Sequence, residues 1–143
     1  LARPETYKSL IHKMSESSIC QNAENIIAID ARGFLFATAI GFNIRKPVIV
    51  ARKPGKLPGK LIEESYSLEY GRNSLSIQKE ALSNKNDFVI IDDLLATGGT
   101  VNCISSILKK ENKNIIGLSV VVELLDLKGK DKINMEVDSI VKY

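Results

Sequence analysis

The chain has 143 residues, 44% hydrophobic and 26% charged, the balance of an ordinary globular domain that can bury roughly two-thirds of its unfolded surface without a disulfide or metal staple. Lys and Arg number 20 against 17 Asp and Glu, a net charge of +3, and the basic residues are spread out rather than gathered in a block, which argues against a nucleic-acid surface. Cys20 and Cys103 have no CxxC spacing and only His12 to accompany them, which speaks against a zinc site and for a reducing, cytoplasmic setting, and no run approaches the ~20 apolar residues of a membrane helix.

Taken in chain order, residues 4–19 carry Tyr7, Leu10, Ile11 and Met14 at helical spacing, with Pro4 in the first turn. A short β-branched run at 25–29 predicts a buried strand that stops at Asp30. Residues 33–43 mix Gly33, Ala37 and Gly41 with Phe34, Leu35 and Ile40, the composition of a helix packed tightly on a sheet. A strand follows at 47–51, then an exposed basic loop at 53–60, KPGKLPGK. Residues 62–78 alternate weakly and break at Gly71-Arg72-Asn73, which predicts a flexible hairpin projecting from the main sheet. The strongest strand spans 87–92 and leads through a Gly-containing turn to a helix at 99–110. Further strands are expected at 115–125 and 137–141.

Strands and helices alternate, and the central strands are continuously apolar. Together these features predict one α/β domain over residues 1–143, a mostly parallel sheet with helices on both faces. Ligands of such sheets bind at the carboxyl ends of the strands.

The segment with the most chemistry is Val89-Ile90-Ile91-Asp92-Asp93-Leu94-Leu95-Ala96-Thr97-Gly98-Gly99-Thr100. Gly98 and Gly99 let the backbone approach an anion, and the following helix adds free amides and a favourable dipole. Thr97 and Thr100 add hydroxyl donors. Asp92 and Asp93, expected where the strand ends, stand in the right order to grip the hydroxyls of a ribose whose 5′-phosphate lies in the turn. A plain turn with two solvated acids is the simpler reading of the same residues. No GxGxxG occurs, and GKLPGKL at 55–61 has the wrong glycine spacing for a P-loop and no Ser or Thr after its lysine.

VIIDDLLATGGT resembles the phosphoribosyl pyrophosphate (PRPP) signature of the type I phosphoribosyltransferases. Four further segments, DARGFLF at 30–36, RKPGKLPG at 52–59, SYSLEYG at 65–71 and VEL at 122–124, resemble the adenine phosphoribosyltransferases of that family, in order along nearly the whole chain. The resemblance implies transfer of the 5-phosphoribosyl group from PRPP to adenine, giving AMP and diphosphate, with Mg²⁺ held mainly by substrate oxygens and water. It further implies a homodimer. Transfer to hypoxanthine, guanine or xanthine, or a PRPP-binding regulatory role, remain as alternatives.

For individual residues, the resemblance implies that Ala96, Thr97, Gly98, Gly99 and Thr100 bind the 5′-phosphate and that Asp92 and Asp93 bind the ribose. Asp30, Ala31, Arg32, Lys53 and Lys56 would hold diphosphate, with Arg32 also catalytic and Ala31 standing where many relatives carry serine. Glu69 would be catalytic on the closing hairpin, Tyr70 would take part in closure and Leu124 would pack against the base. By themselves Arg32 reads equally as an ion-pair partner, Lys53 and Lys56 as solvated charges, and Leu124 as strand core; His12 and both cysteines read as structural. Relatives carry further residues ahead of the point matching Leu1, forming a hood over the base, and that part of the hood is expected to be missing here.

Overall fold

Short β-branched runs place the strands of the central sheet, and the residues between them decide which faces are covered. The computed structural model describes residues 1–68 and 71–143. Helix α1 (Pro4–Ser15) and the short α2 (Ser18–Asn22) precede β1 (Asn25–Ile29), followed by α3 (Gly33–Ile44) and β2 (Val48–Ala51). Then come β3 (Leu61–Leu68), β4 (Gly71–Gln78), β5 (Asp87–Leu95), α4 (Gly99–Lys110), β6 (Asn114–Glu123) and β7 (Val137–Lys142). The main sheet has the order β2-β1-β5-β6-β7, and each neighbouring pair in it is parallel.

Residues of β1 and β5 alternate between two cores. Ile26, Ala28, Val89 and Ile91 face α1, α2 and α3 with Met14, Ile19 and Ile40. Ile27, Ile29, Phe88 and Ile90 face the other way, towards Val101, Ile104, Ile107 and Leu108 of α4 and towards Leu75 and Ile77 of β4. A strand buried on both faces has no polar alternation, and this explains the unbroken apolar run. Helix α3 is apolar nearly all round, so it fills one core with Ala37 and Ile40 and still exposes Leu35 and Phe42.

Three expectations change in detail. The helix expected over 4–19 stops at Ser15 and restarts after Ser17, whose hydroxyl accepts the Cys20 amide and caps α2. The hairpin forms its own two-stranded sheet and stays paired to Leu68 opposite Gly71, so Gly71, Arg72 and Asn73 are strand residues and not the turn. It joins the main sheet through the Arg52–Ser76 bridge and lies over α4, where Cys103 Sγ donates to the Glu64 carbonyl at 3.2 Å. Third, β5 continues to Leu95 against Val122 and Glu123 of β6, so Asp92 and Asp93 lie inside the strand rather than at its end.

Candidate active site

At the carboxyl edge of the parallel sheet, β1 stops at Ile29, and Asp30, Ala31 and Arg32 follow before α3 begins; the Asp30–Ala31 peptide bond is cis. Next to it β5 presents Asp92 and Asp93, then gives way to the turn at 96–98 and the start of α4. Gly98 sits at φ +82°, a left-handed conformation that side chains resist, and α4 begins there without a side-chain cap. Its first amides are therefore available to an anion.

These pieces enclose one cleft of about 380 Å³. Asp30, Ala31, Arg32, Lys53, Asp92, Asp93, Ala96 and Thr100 line it together with Tyr66, Asn73, Ser74 and Leu75 of the hairpin. A smaller recess of about 70 Å³ adjoins it, walled by Asp92 and by residues 94–101, among them Thr97, Gly98 and Gly99. Thr100 belongs to both. Lys56 is exposed on its loop, and Leu124 stands half-buried one residue past the end of β6 with its amide on the Leu95 carbonyl at 2.9 Å; neither lines these two cavities. Leu124 was expected inside the strand, but β6 ends at Glu123 where a 3₁₀ turn over Leu125–Leu127 begins. Glu69 and Tyr70 lie outside the described residues.

The charges of the cleft are organised in pairs. Arg32, 70% exposed, places Nε 2.6 Å from Asp93 Oδ2, and Arg52 Nε donates to Asp30 Oδ2 at 3.1 Å while its guanidinium stands 5.8 Å from the Phe34 ring centroid. Asp92 Oδ1 accepts the Asp93 amide at 2.8 Å. Burial nevertheless pushes the Asp92 carboxyl up to about 7, and the neighbouring Asp93 charge acts in the same direction. At neutral pH that carboxyl is shared between a donor and an acceptor form. Lys53 adds a further charge to the lining; beneath the turn, Gly129 packs so closely that a Cβ there would lie 2.1 Å from the Ala96 carbonyl oxygen.

A strand-borne acid pair, a small recess at a helix N-terminus and an arginine on the facing loop thus meet at one edge of the sheet. Residues 5–142 match the family model for the phosphoribosyl transferase domain. An adenine phosphoribosyltransferase of Prochlorococcus marinus subsp. pastoris is 60% identical over 139 residues, 97% of this chain and 81% of that protein. The chain belongs to the phosphoribosyltransferase family, in its adenine branch. Among solved structures, the adenine phosphoribosyltransferase of Thermoanaerobacter pseudethanolicus superposes with a TM-score of 0.93 at 31% identity over 99% of this chain and 83% of that one. The Saccharomyces cerevisiae enzyme, solved with an imino-altritol bisphosphate and adenine, superposes with a TM-score of 0.86 at 29% identity over 98% of this chain and 82% of that one.

Within this phosphoribosyltransferase fold, three residues that sequence reasoning did not single out take part in building the cleft. Arg52 orients Asp30, and its own backbone exchanges two hydrogen bonds with Ser76 of the hairpin. Its signal was its place at the end of a strand, at the edge where ligands bind. Tyr66 reaches into the cleft from β3, in the same SYSLEYG segment that contains Glu69. Gly129 had no local signal, because its partner Ala96 lies 33 positions away in the chain.

Proposed function

We propose that this chain transfers the 5-phosphoribosyl group of PRPP to adenine, giving AMP and diphosphate, as a single unit over residues 1–143. The observation that carries this reading is the meeting of the 96–100 turn, the Asp92–Asp93 pair and the Asp30–Arg32 loop around one cleft at the carboxyl edge of the sheet. In the reaction, the bond from ribose C1 to the diphosphate oxygen breaks, a bond from a base nitrogen to C1 forms, and that nitrogen loses its proton.

Each wall has a part in that exchange. The amides of the turn and the hydroxyls of Thr97 and Thr100 take the 5′-phosphate, and Asp92 and Asp93 take the ribose hydroxyls. Asp92, with its carboxyl near 7, is able to donate as well as accept there. Arg32 exchanges its contact with Asp93 for the leaving diphosphate, a bidentate acceptor that suits a guanidinium, and Lys53 adds charge from the facing loop. Lys56 lies on the same loop and is assigned to diphosphate by resemblance, as are Glu69 to the base proton, Tyr70 to closure over the site and Leu124 to the base itself. Holding the base in line and neutralising the leaving group supplies most of the acceleration.

Among the described residues no three His, Cys, Asp or Glu side chains converge on one point. With Asp30, Asp92 and Asp93 as its only lining acids among the described residues, the cleft suits a Mg²⁺ carried in mainly by substrate oxygens and water. When bound, the ion offsets the negative charge of the diphosphate. Two further parts of the reading rest on surface and composition. Exposed Leu35 and Phe42, the latter 89% accessible, support a homodimer. Two unpaired buried thiols support a cytoplasmic setting, and no described helix is long and apolar enough to cross a membrane.

The deciding experiment mixes the chain with PRPP, Mg²⁺ and, separately, adenine, hypoxanthine, guanine and xanthine, and separates the products by chromatography. AMP from adenine as the main product is expected. IMP, GMP or XMP as the main product overturns the base, and PRPP binding without any product overturns the transfer in favour of a PRPP-binding module.

A further inference from the structure

We propose that Tyr66 is a positioning residue for the 5′-phosphate, acting through the hydroxyl of Thr100; this rests on the function proposed above. Thr100 Oγ1 donates to Tyr66 Oη at 3.3 Å. The Tyr66 ring lies close enough to the turn that a Cβ on Gly99 would stand 3.2 Å from its Cδ2. Both residues line the main cleft, and Thr100 also lines the smaller recess behind it. Tyr66 thus brings the hairpin into direct contact with the turn proposed to receive the phosphate.

The contact is held in place from the same helix that carries Thr100. Two positions before Tyr66, the Glu64 carbonyl accepts Cys103 Sγ of α4 and the Glu64 carboxylate pairs with Lys110 of α4. The tyrosine ring itself packs on the core beneath the hairpin. Donor and acceptor are therefore both referenced to α4, and the pair is preorganised.

A threonine hydroxyl has one proton and two lone pairs, and so has the tyrosine. With the recess empty, Thr100 spends its proton on Tyr66. When a phosphate enters, that proton turns to a phosphate oxygen, and Tyr66 reverses its role by donating to Thr100 Oγ1. The result is a directed chain from Tyr66 through Thr100 to the phosphate, in which the tyrosine fixes the rotamer of Thr100 and polarises its O–H. Hydrogen bonds arranged head to tail in this way strengthen one another.

The test is calorimetric binding of PRPP, AMP and diphosphate to the wild type, Tyr66→Phe, Thr100→Val and the double variant, with thermal melting alongside. Tyr66→Phe keeps the ring and removes only the hydroxyl. It is expected to melt with the wild type, to bind PRPP and AMP about three- to tenfold more weakly, the worth of one hydrogen bond, and to bind diphosphate unchanged. In turnover the KM for PRPP should rise by the same factor with kcat held. In the Thr100→Val background the Tyr66→Phe change should cost nothing further. Unchanged PRPP affinity, an equal loss of diphosphate affinity, or additive effects with Thr100→Val would each overturn the proposal. Wild-type chain that binds PRPP but yields no AMP would overturn the proposed function alone, and wild-type chain that binds no PRPP would overturn both.

Discussion

Asp92 shows how a single carboxyl can couple a site to the stability of its fold. In the unfolded chain an aspartate loses its proton near 3.8, whereas burial keeps the Asp92 proton on to about 7 in the folded state. Between those values the folded protein binds more protons than the unfolded one, so stability falls as pH rises from about 4 to about 7 and levels off above. Asp92→Asn keeps an oxygen for the Asp93 amide and removes the buried charge. It should gain about 1–3 kcal/mol in urea melts at pH 8 and nothing near pH 4, while losing much of its affinity for PRPP. A variant no more stable than wild type at pH 8 would mean that the carboxyl is adequately solvated in the fold. The thiols behave in the opposite sense to reactive ones: burial raises Cys103 to about 11, which keeps it protonated at neutral pH.

Among the elements, the turn at 96–98 depends on Gly129, a residue that lines neither cavity of the site. Gly129 has an ordinary φ of −61°, so its lack of a side chain answers to space and not to backbone conformation. The same residue is 3.0 Å from where a Cβ on Gly98 would be, which makes the contact between the two segments mutual. Gly129→Ala forces a methyl group into the Ala96 carbonyl, and backbone on both sides leaves only a displacement of the turn. The expected outcome is a loss of about 1–3 kcal/mol in stability together with a several-fold loss of PRPP affinity, read by calorimetry. Affinity equal to the wild type would show that residues 96–98 hold their shape without this support.

At the scale of the whole molecule, β5 is the member that everything else shares. It pairs with β1 on one side and β6 on the other, sends Val89 and Ile91 into one core and Phe88 and Ile90 into the other, and carries both acids of the site within its length. Ile90→Ala leaves a cavity against α4 and should cost about 2–5 kcal/mol in urea unfolding followed by circular dichroism. A cost well below 1 kcal/mol would mean that the helix collapses onto the gap.

Strand and helix order, the two-sided burial of the central strands and the glycine turn into α4 were legible in the chain, because each is encoded by residues close in sequence: a β-branched run, apolar residues at helical spacing, a pair of glycines next to a helix start. Boundaries that depend on a partner were not. Asp92 and Asp93 look like the end of a strand until β6 is seen to pair beyond them, and Gly71-Arg72-Asn73 looks like a turn until it is seen opposite 66–68. The sequence by itself determined the fold class and the residue types that meet at the carboxyl edge of the sheet. Tertiary structure alone decided that Arg32 rests on Asp93, that Arg52 orients Asp30, that Tyr66 meets Thr100 and that Gly129 supports Ala96. Each of those four contacts joins side chains or backbone brought together only when the sheet, its helices and the hairpin have packed, and no local pattern records a distance between segments that far apart.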